Sequence, residues 1–185
     1  CHKADVELTN CNITANAKTA GTAYAVYGGS AQSTVFENLQ PDYFGEYATA
    51  AKITINSGTY TADVVTSGAY AICTATRARS MYNSATSIYA NRTLGGEKTG
   101  YPELIIHDGT FTATTHTLNG DRHARAVSSG GNTTINGGTF TATSEGRYAR
   151  CIYGVAGKLV VNNATIIATA NGRYKTDNNA SEAAG

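Results

Sequence analysis

The chain has 185 residues, enough for one domain with a sizeable core. Its 14 Lys and Arg against 13 Asp and Glu leave neither a basic stripe for nucleic acid nor an acidic solvating run. No stretch approaches the ~20 apolar residues that a membrane-spanning helix needs. With 20 Gly, 12 Tyr, 2 Pro, 1 Met and no Trp, the composition suits short strands and tight turns rather than helices.

The chain opens on Cys1, which reads as a processed or excised terminus. A lipid-modified Cys1 is the competing reading, but strand-like sequence from Val6 leaves almost no tether between lipid and fold. From Val6 onward, five segments lie over one another: VELTNCNITAN (6–16), ITINSGTYTAD (53–63), LIIHDGTFTAT (104–114), TTINGGTFTAT (133–143) and LVVNNATIIAT (159–169). Their starts are 47, 51, 29 and 26 residues apart, so the bare unit is one solenoid turn and the first two repeats carry insertions. A repeat this short cannot bury its own apolar face and must stack on copies of itself.

Alternation assigns the faces. In the first strand of each repeat Val6/Leu8, Ile53/Ile55, Leu104/Ile106 and Leu159/Val161 point inward, with Ile135 in the same column. In the second strand Ile13, Tyr60, Phe111, Phe140 and Ile166 form an inward column, followed by Ala15, Ala62, Ala113, Ala142 and Ala168. Period-2 patterning with one residue class recurring in every repeat is what stacked parallel strands require. The turn between the two strands places Asn56, Asn136 and Asn162 at one site, with His107 and Thr9 as variants, and an amide ladder is expected there. Gly58, Gly109 and Gly138 follow and are expected to take positive φ, with Cys11 at the same site in the first repeat.

A third element recurs as AYAVY (23–27), AYAIC (69–73), ARAVS (124–128) and ARCIY (149–153). Alanine or cysteine is expected inward and Tyr24, Tyr70, Arg125 and Arg150 outward, because a buried unpaired Arg is costly. Three strands per repeat predict a triangular prism. Residues 28–52 and 74–103 leave the solenoid after the third strand of adjacent repeats and should pack on each other. They carry Phe36, Tyr43, Phe44, Tyr47, Arg77, Arg79, Tyr82, Tyr89, Arg92 and Tyr101, and long loops on a rigid scaffold are where function concentrates. A small aromatic core capping one flank explains the same residues equally well. The single domain is placed at 1–176, with 177–185 as a polar, frayed tail.

Of the four cysteines, Cys73 and Cys151 lie two repeats apart, roughly 10 Å at ~4.8 Å per strand, too far for a bridge. A Cys1–Cys11 bridge stays open. No CxxC pair or His/Cys cluster has zinc spacing, so no metal or cofactor is expected.

The stacked repeats with N-G-G-T-F-T-A turns resemble the right-handed parallel β-helix of the pectate-lyase-like superfamily, over roughly residues 6–170. The resemblance implies an all-β, right-handed β-solenoid of about five coils. The superfamily includes polysaccharide lyases and hydrolases, bacterial adhesins and phage tailspikes. Its lyases use clustered acidic calcium ligands with an Arg or Lys base, and its hydrolases grouped aspartates. Here Asp5, Asp42, Asp63, Asp108, Asp121 and Asp177 do not fall at stacked sites. Acid, base and cation gather only in His116, Asp121, Arg122 and His123, for which a solvated loop is the simpler account. The outward Thr59/Thr61, Thr110/Thr112 and Thr139/Thr141 array resembles the ice-binding face of β-solenoid antifreeze proteins. Asn12 and Ile167 interrupt it, and Thr is also an ordinary exposed strand residue.

These readings predict a non-enzymatic structural or adhesive module, extracellular on a bacterial surface or a virion, binding a glycan or protein surface. The contact residues are expected to be Tyr24, Tyr70, Tyr43, Phe44, Arg77, Arg79 and Tyr82, since Tyr and Arg dominate interfaces and meet sugar rings well. A polysaccharide-degrading enzyme and a trimeric phage tail or head-fibre protein are the alternatives. The open end strands are expected to be capped by partners, by a parent polypeptide or by neighbouring solenoid domains.

Overall fold

A computed structural model of the chain describes residues 5–29, 52–75, 80–83, 88–91, 103–118, 122–154, 157–172 and 182–184. Those residues are all-β, without a helix. In the first repeat the strands are β1 (Asp5–Leu8), β2 (Cys11–Ala17) and β3 (Ala23–Gly29); in the second, β4 (Lys52–Ile55), β5 (Gly58–Val64) and β6 (Ala69–Ala75). Next come β7 (Ser80–Asn83) and β8 (Ile88–Asn91), an antiparallel pair inside the second insertion. The third repeat supplies β9 (Glu103–Ile106), β10 (Thr110–Thr115) and β11 (His123–Ser129). The fourth supplies β12 (Asn132–Ile135), β13 (Thr139–Ser144), β14 (Tyr148–Arg150) and β15 (Ile152–Gly154). Last are β16 (Leu159–Val161), β17 (Thr165–Ala170) and β18 (Glu182–Ala184).

These strands assemble into three parallel sheets in the orders β1-β4-β9-β12-β16, β2-β5-β10-β13-β17 and β3-β6-β11-β14-β18, with β15 beside β11. The arrangement is what a β-solenoid requires. β18 lies within the segment read from sequence as a polar tail and pairs in register with β14.

Register follows the repeat residue by residue. Ile13, Tyr60, Phe111, Phe140 and Ile166 are successive Cα partners, as are Ala15, Ala62, Ala113, Ala142 and Ala168. A one-residue slip would turn every one of these side chains outward, so burial specifies the pairing. The Tyr60 and Phe111 rings stack at 5.1 Å with 6° between planes, and Phe111 and Phe140 at 4.8 Å with 5°. All three are fully buried, in one core that also takes Ile53, Ile55, Leu104, Ile106 and Ile135 from the first sheet. From the third sheet it takes Ala69, Ile72, Ala124 and Val127.

The turn chemistry also appears. Gly58, Gly109 and Gly138 have φ of +132°, +137° and +110°. Asn162 donates its amide to Asn136 Oδ1 at 2.7 Å, Asn136 meets His107 Nδ1 at 3.3 Å, and Asn56 donates to Thr9 Oγ1 at 2.9 Å. The variant residues therefore take part in the ladder. Beneath it each turn is tied by backbone bonds of 2.8 Å, from Asn56 N to Leu8 O, His107 N to Ile55 O, Asn136 N to Ile106 O and Asn162 N to Ile135 O.

Candidate functional site

The third element places its small residues inward as expected, but its alternation breaks once. Ala71 and Ile72 are consecutive and both fully buried, as are Ala126 and Val127. Two inward residues in a row re-aim everything after them. The outward face therefore carries two columns instead of one: Tyr24, Tyr70 and Arg125 in register, then Tyr27, Cys73, Ser128 and Tyr153. The second column was missed in the sequence, although its Tyr27 and Tyr153 end the repeated five-residue segments.

These side chains form a continuous ring-and-guanidinium ladder across the sheet. Tyr24 and Tyr70 stack at 5.0 Å and 17°, and Tyr27 meets Tyr24 edge-on at 5.2 Å. The Arg125 guanidinium lies 5.6 Å from the Tyr70 centroid and 3.9 Å from that of Tyr153. Arg150 lies 5.3 Å from Tyr153 and 5.2 Å from Tyr148, which stacks on His123 at 4.8 Å. Each such contact contributes about 0.5–1.5 kcal/mol, so the ladder orders itself before any partner arrives. Arg125 also donates to Ser128 Oγ at 3.4 Å.

The ladder's geometry decides its chemistry. Tyr24 and Tyr70 turn ring faces toward one another along the sheet, and Tyr24 and Tyr27 are exposed at its edge, whereas Arg125 Nε is buried without a hydrogen-bond partner. Burial pushes the Tyr24 phenol up to about 12 and raises that of Tyr70, so both remain neutral hydrogen-bond donors. Burial likewise pushes the Cys73 thiol up to about 11, which outweighs the opposing pull of Arg125 and leaves it a poor nucleophile. Such a strip suits a partner rich in hydroxyl or carboxylate oxygens.

Of the residues expected at the contact surface, the structure brings Tyr24 and Tyr70 together. Tyr43, Phe44, Arg77 and Arg79 lie outside the described residues, and Tyr82 is placed only by its backbone in β7, opposite Tyr89. Cys11, Cys73 and Cys151 are free thiols. Among the described residues no group of three or more His, Cys, Asp or Glu could hold a metal ion, and no helix is long and apolar enough to cross a membrane.

His116 and His123 do not gather in one loop. His123 belongs to β11 and the ladder, whereas His116 sits at the corner after β10 between carboxylates of neighbouring repeats. Its Nε2 is 3.0 Å from Asp63 Oδ1 and its Nδ1 is 2.9 Å from Glu145 Oε1. The hydrogen bond that Glu145 accepts from the imidazole, joined by the Asp63 charge, raises it above its ordinary value against a smaller opposing effect of burial. A raised folded pKa stabilises fully below the unfolded value of about 6.5 and ceases to do so as pH rises through the folded value. The melting-temperature advantage of wild type over His116→Gln should therefore shrink from about pH 5.5 to pH 8.5. Parallel thermal melts check this, and a gap that widens with pH contradicts it.

No protein-family model matches the chain, and neither a curated protein nor a solved structure does.

Proposed function

We propose that the chain is a non-enzymatic surface module, a right-handed parallel β-helix of about five coils, that binds a glycan along the outer face of its third sheet. It works outside the cell, on a bacterial surface or a virion. The observation that carries this reading is the Tyr24–Tyr70–Arg125–Tyr153 ladder, a pre-ordered strip of hydroxyl and guanidinium donors spaced by the strand repeat. A polymer with regularly spaced oxygens can meet successive rungs without reordering the protein, which lowers the entropic cost of binding. The insertions 28–52 and 74–103 follow β3 and β6 in the chain, the strands that carry Tyr24 and Tyr70.

Binding to a panel of acidic and neutral polysaccharides, measured by affinity electrophoresis and calorimetry, tests the reading. Tyr70→Ala and Arg125→Ala should each weaken binding by about ten-fold or more, with the β-rich circular dichroism retained. Retention by every glycan unaffected by either change would remove the ladder from the site. Chain cleavage that is lost on changing His116, Asp121 or His123 would instead establish the enzyme reading.

A further inference from the structure

The two end repeats are complementary to each other. At one end Leu159 and Val161, which continue the inward columns, are 45% and 41% exposed, whereas their counterparts Leu104 and Ile106 are fully buried. Ile166 is 37% exposed, whereas Phe140 in the same column is fully buried. At the other end the inward side chains of β1 and β2, among them Val6, Leu8 and Ile13, are half-buried. Among the described residues each end also presents one unpaired edge in each of the first two sheets, on β16 and β17 or on β1 and β2. Open edges over apolar columns are templates for a further strand.

From this we infer that copies of the chain stack head to tail, with β1 and β2 of one copy continuing the sheets beyond β16 and β17 of another. The inward columns extend without a change of register. Val6 of the incoming copy would cover Leu159, Leu8 would cover Val161, and Ile13 would cover Ile166. Charge complementarity selects this partner and this orientation. Asp5, Lys52, Glu103 and Asn132 follow one another in a single outward column, with Lys52 Nζ 3.5 Å from Glu103 Oε2. Lys158 comes next, its backbone N on Asn132 Oδ1 at 3.0 Å. Asp5 of a second copy then falls over Lys158 and continues the alternation. The amide ladder extends too, since Asn162 donates toward Asn136 and leaves its Oδ1 facing the hydroxyl of an incoming Thr9. Because the two surfaces differ, the contact does not close on itself and produces a linear series of sizes.

Sedimentation velocity in low-salt buffer, from about micromolar to about millimolar protein, tests this. Expected is a mass that climbs with concentration without settling at one closed size. Ile166→Glu would place a carboxylate against Ile13 of the next copy and should leave only monomer, its fold checked by circular dichroism. Lys158→Glu or Asp5→Lys alone should weaken association by about two- to five-fold, and the double reversal should restore it. A monomer at every concentration overturns the inference. So does a fixed dimer or trimer indifferent to Ile166→Glu and to the charge reversals, or a double reversal no better than the singles.

Discussion

Replacing Gly58 by alanine should cost at least about 3 kcal/mol of stability and lower the melting temperature by roughly 6–12 °C. Two effects combine. Gly58 has φ of +132°, a region that L side chains rarely adopt. An added Cβ would also stand 2.3 Å from the Cys11 carbonyl oxygen and 2.9 Å from Cys11 N, both backbone atoms of the paired strand that cannot rotate away. Moving them would stretch the spacing between the first two repeats. Gly21 separates the two effects: its φ is +103°, yet a Cβ there meets nothing within 4 Å. Gly21→Ala should therefore show the conformational cost alone, about 1–2 kcal/mol. Equal losses at the two positions would mean that inter-repeat crowding contributes nothing. The column continues upward, since a Cβ on Gly109 would stand 3.0 Å from Gly58 O and one on Gly138 2.9 Å from Gly109 O.

Phe111→Ala should be comparably severe, at about 3–5 kcal/mol and roughly 6–20 °C. The ring is fully buried between Tyr60 and Phe140, and truncation opens a void in the middle of the stack that the neighbouring parallel strands cannot close. Phe111→Leu keeps most of the volume and loses both ring contacts, so about 1–2 kcal/mol is expected. Chemical denaturation of the two variants beside wild type gives the comparison. If the leucine variant loses as much as the alanine variant, ring stacking rather than cavity formation governs this column.

The ladder on the third sheet and the core stack obey one rule in two solvents. In both, identical positions of successive repeats sit one strand apart, which brings flat groups to about 5 Å. Inside, the contact is ring on ring and water is excluded. Outside, two rings give way to guanidinium planes at Arg125 and Arg150, which lie over neighbouring tyrosine rings.

Much of this architecture was readable in the amino-acid sequence. Strand identity, inward columns and pairing register all follow from period-2 alternation repeated with the same residue classes, because a slipped register would expose Phe111 and Phe140 and bury Thr110 and Thr139. The positive-φ glycines and the asparagine ladder were likewise legible, since each follows from a local backbone demand. What only the tertiary structure decided are contacts between unlike positions. The inward pairs Ala71–Ile72 and Ala126–Val127 break the alternation, and although Val26, Ile72, Val127 and Ile152 recur at that position, a strict period of two turns them outward, so Tyr27 and Tyr153 reach the outer face unforeseen. Glu145 stands one repeat after His116 at the equivalent position, since Thr115 pairs with Ser144, whereas Asp63 pairs with Thr114 and so meets His116 from an unlike position. Their meeting depends on how the corners stack: a repeat specifies its strands through periodicity, whereas its corners are specified by whatever the neighbouring repeat holds at the same height.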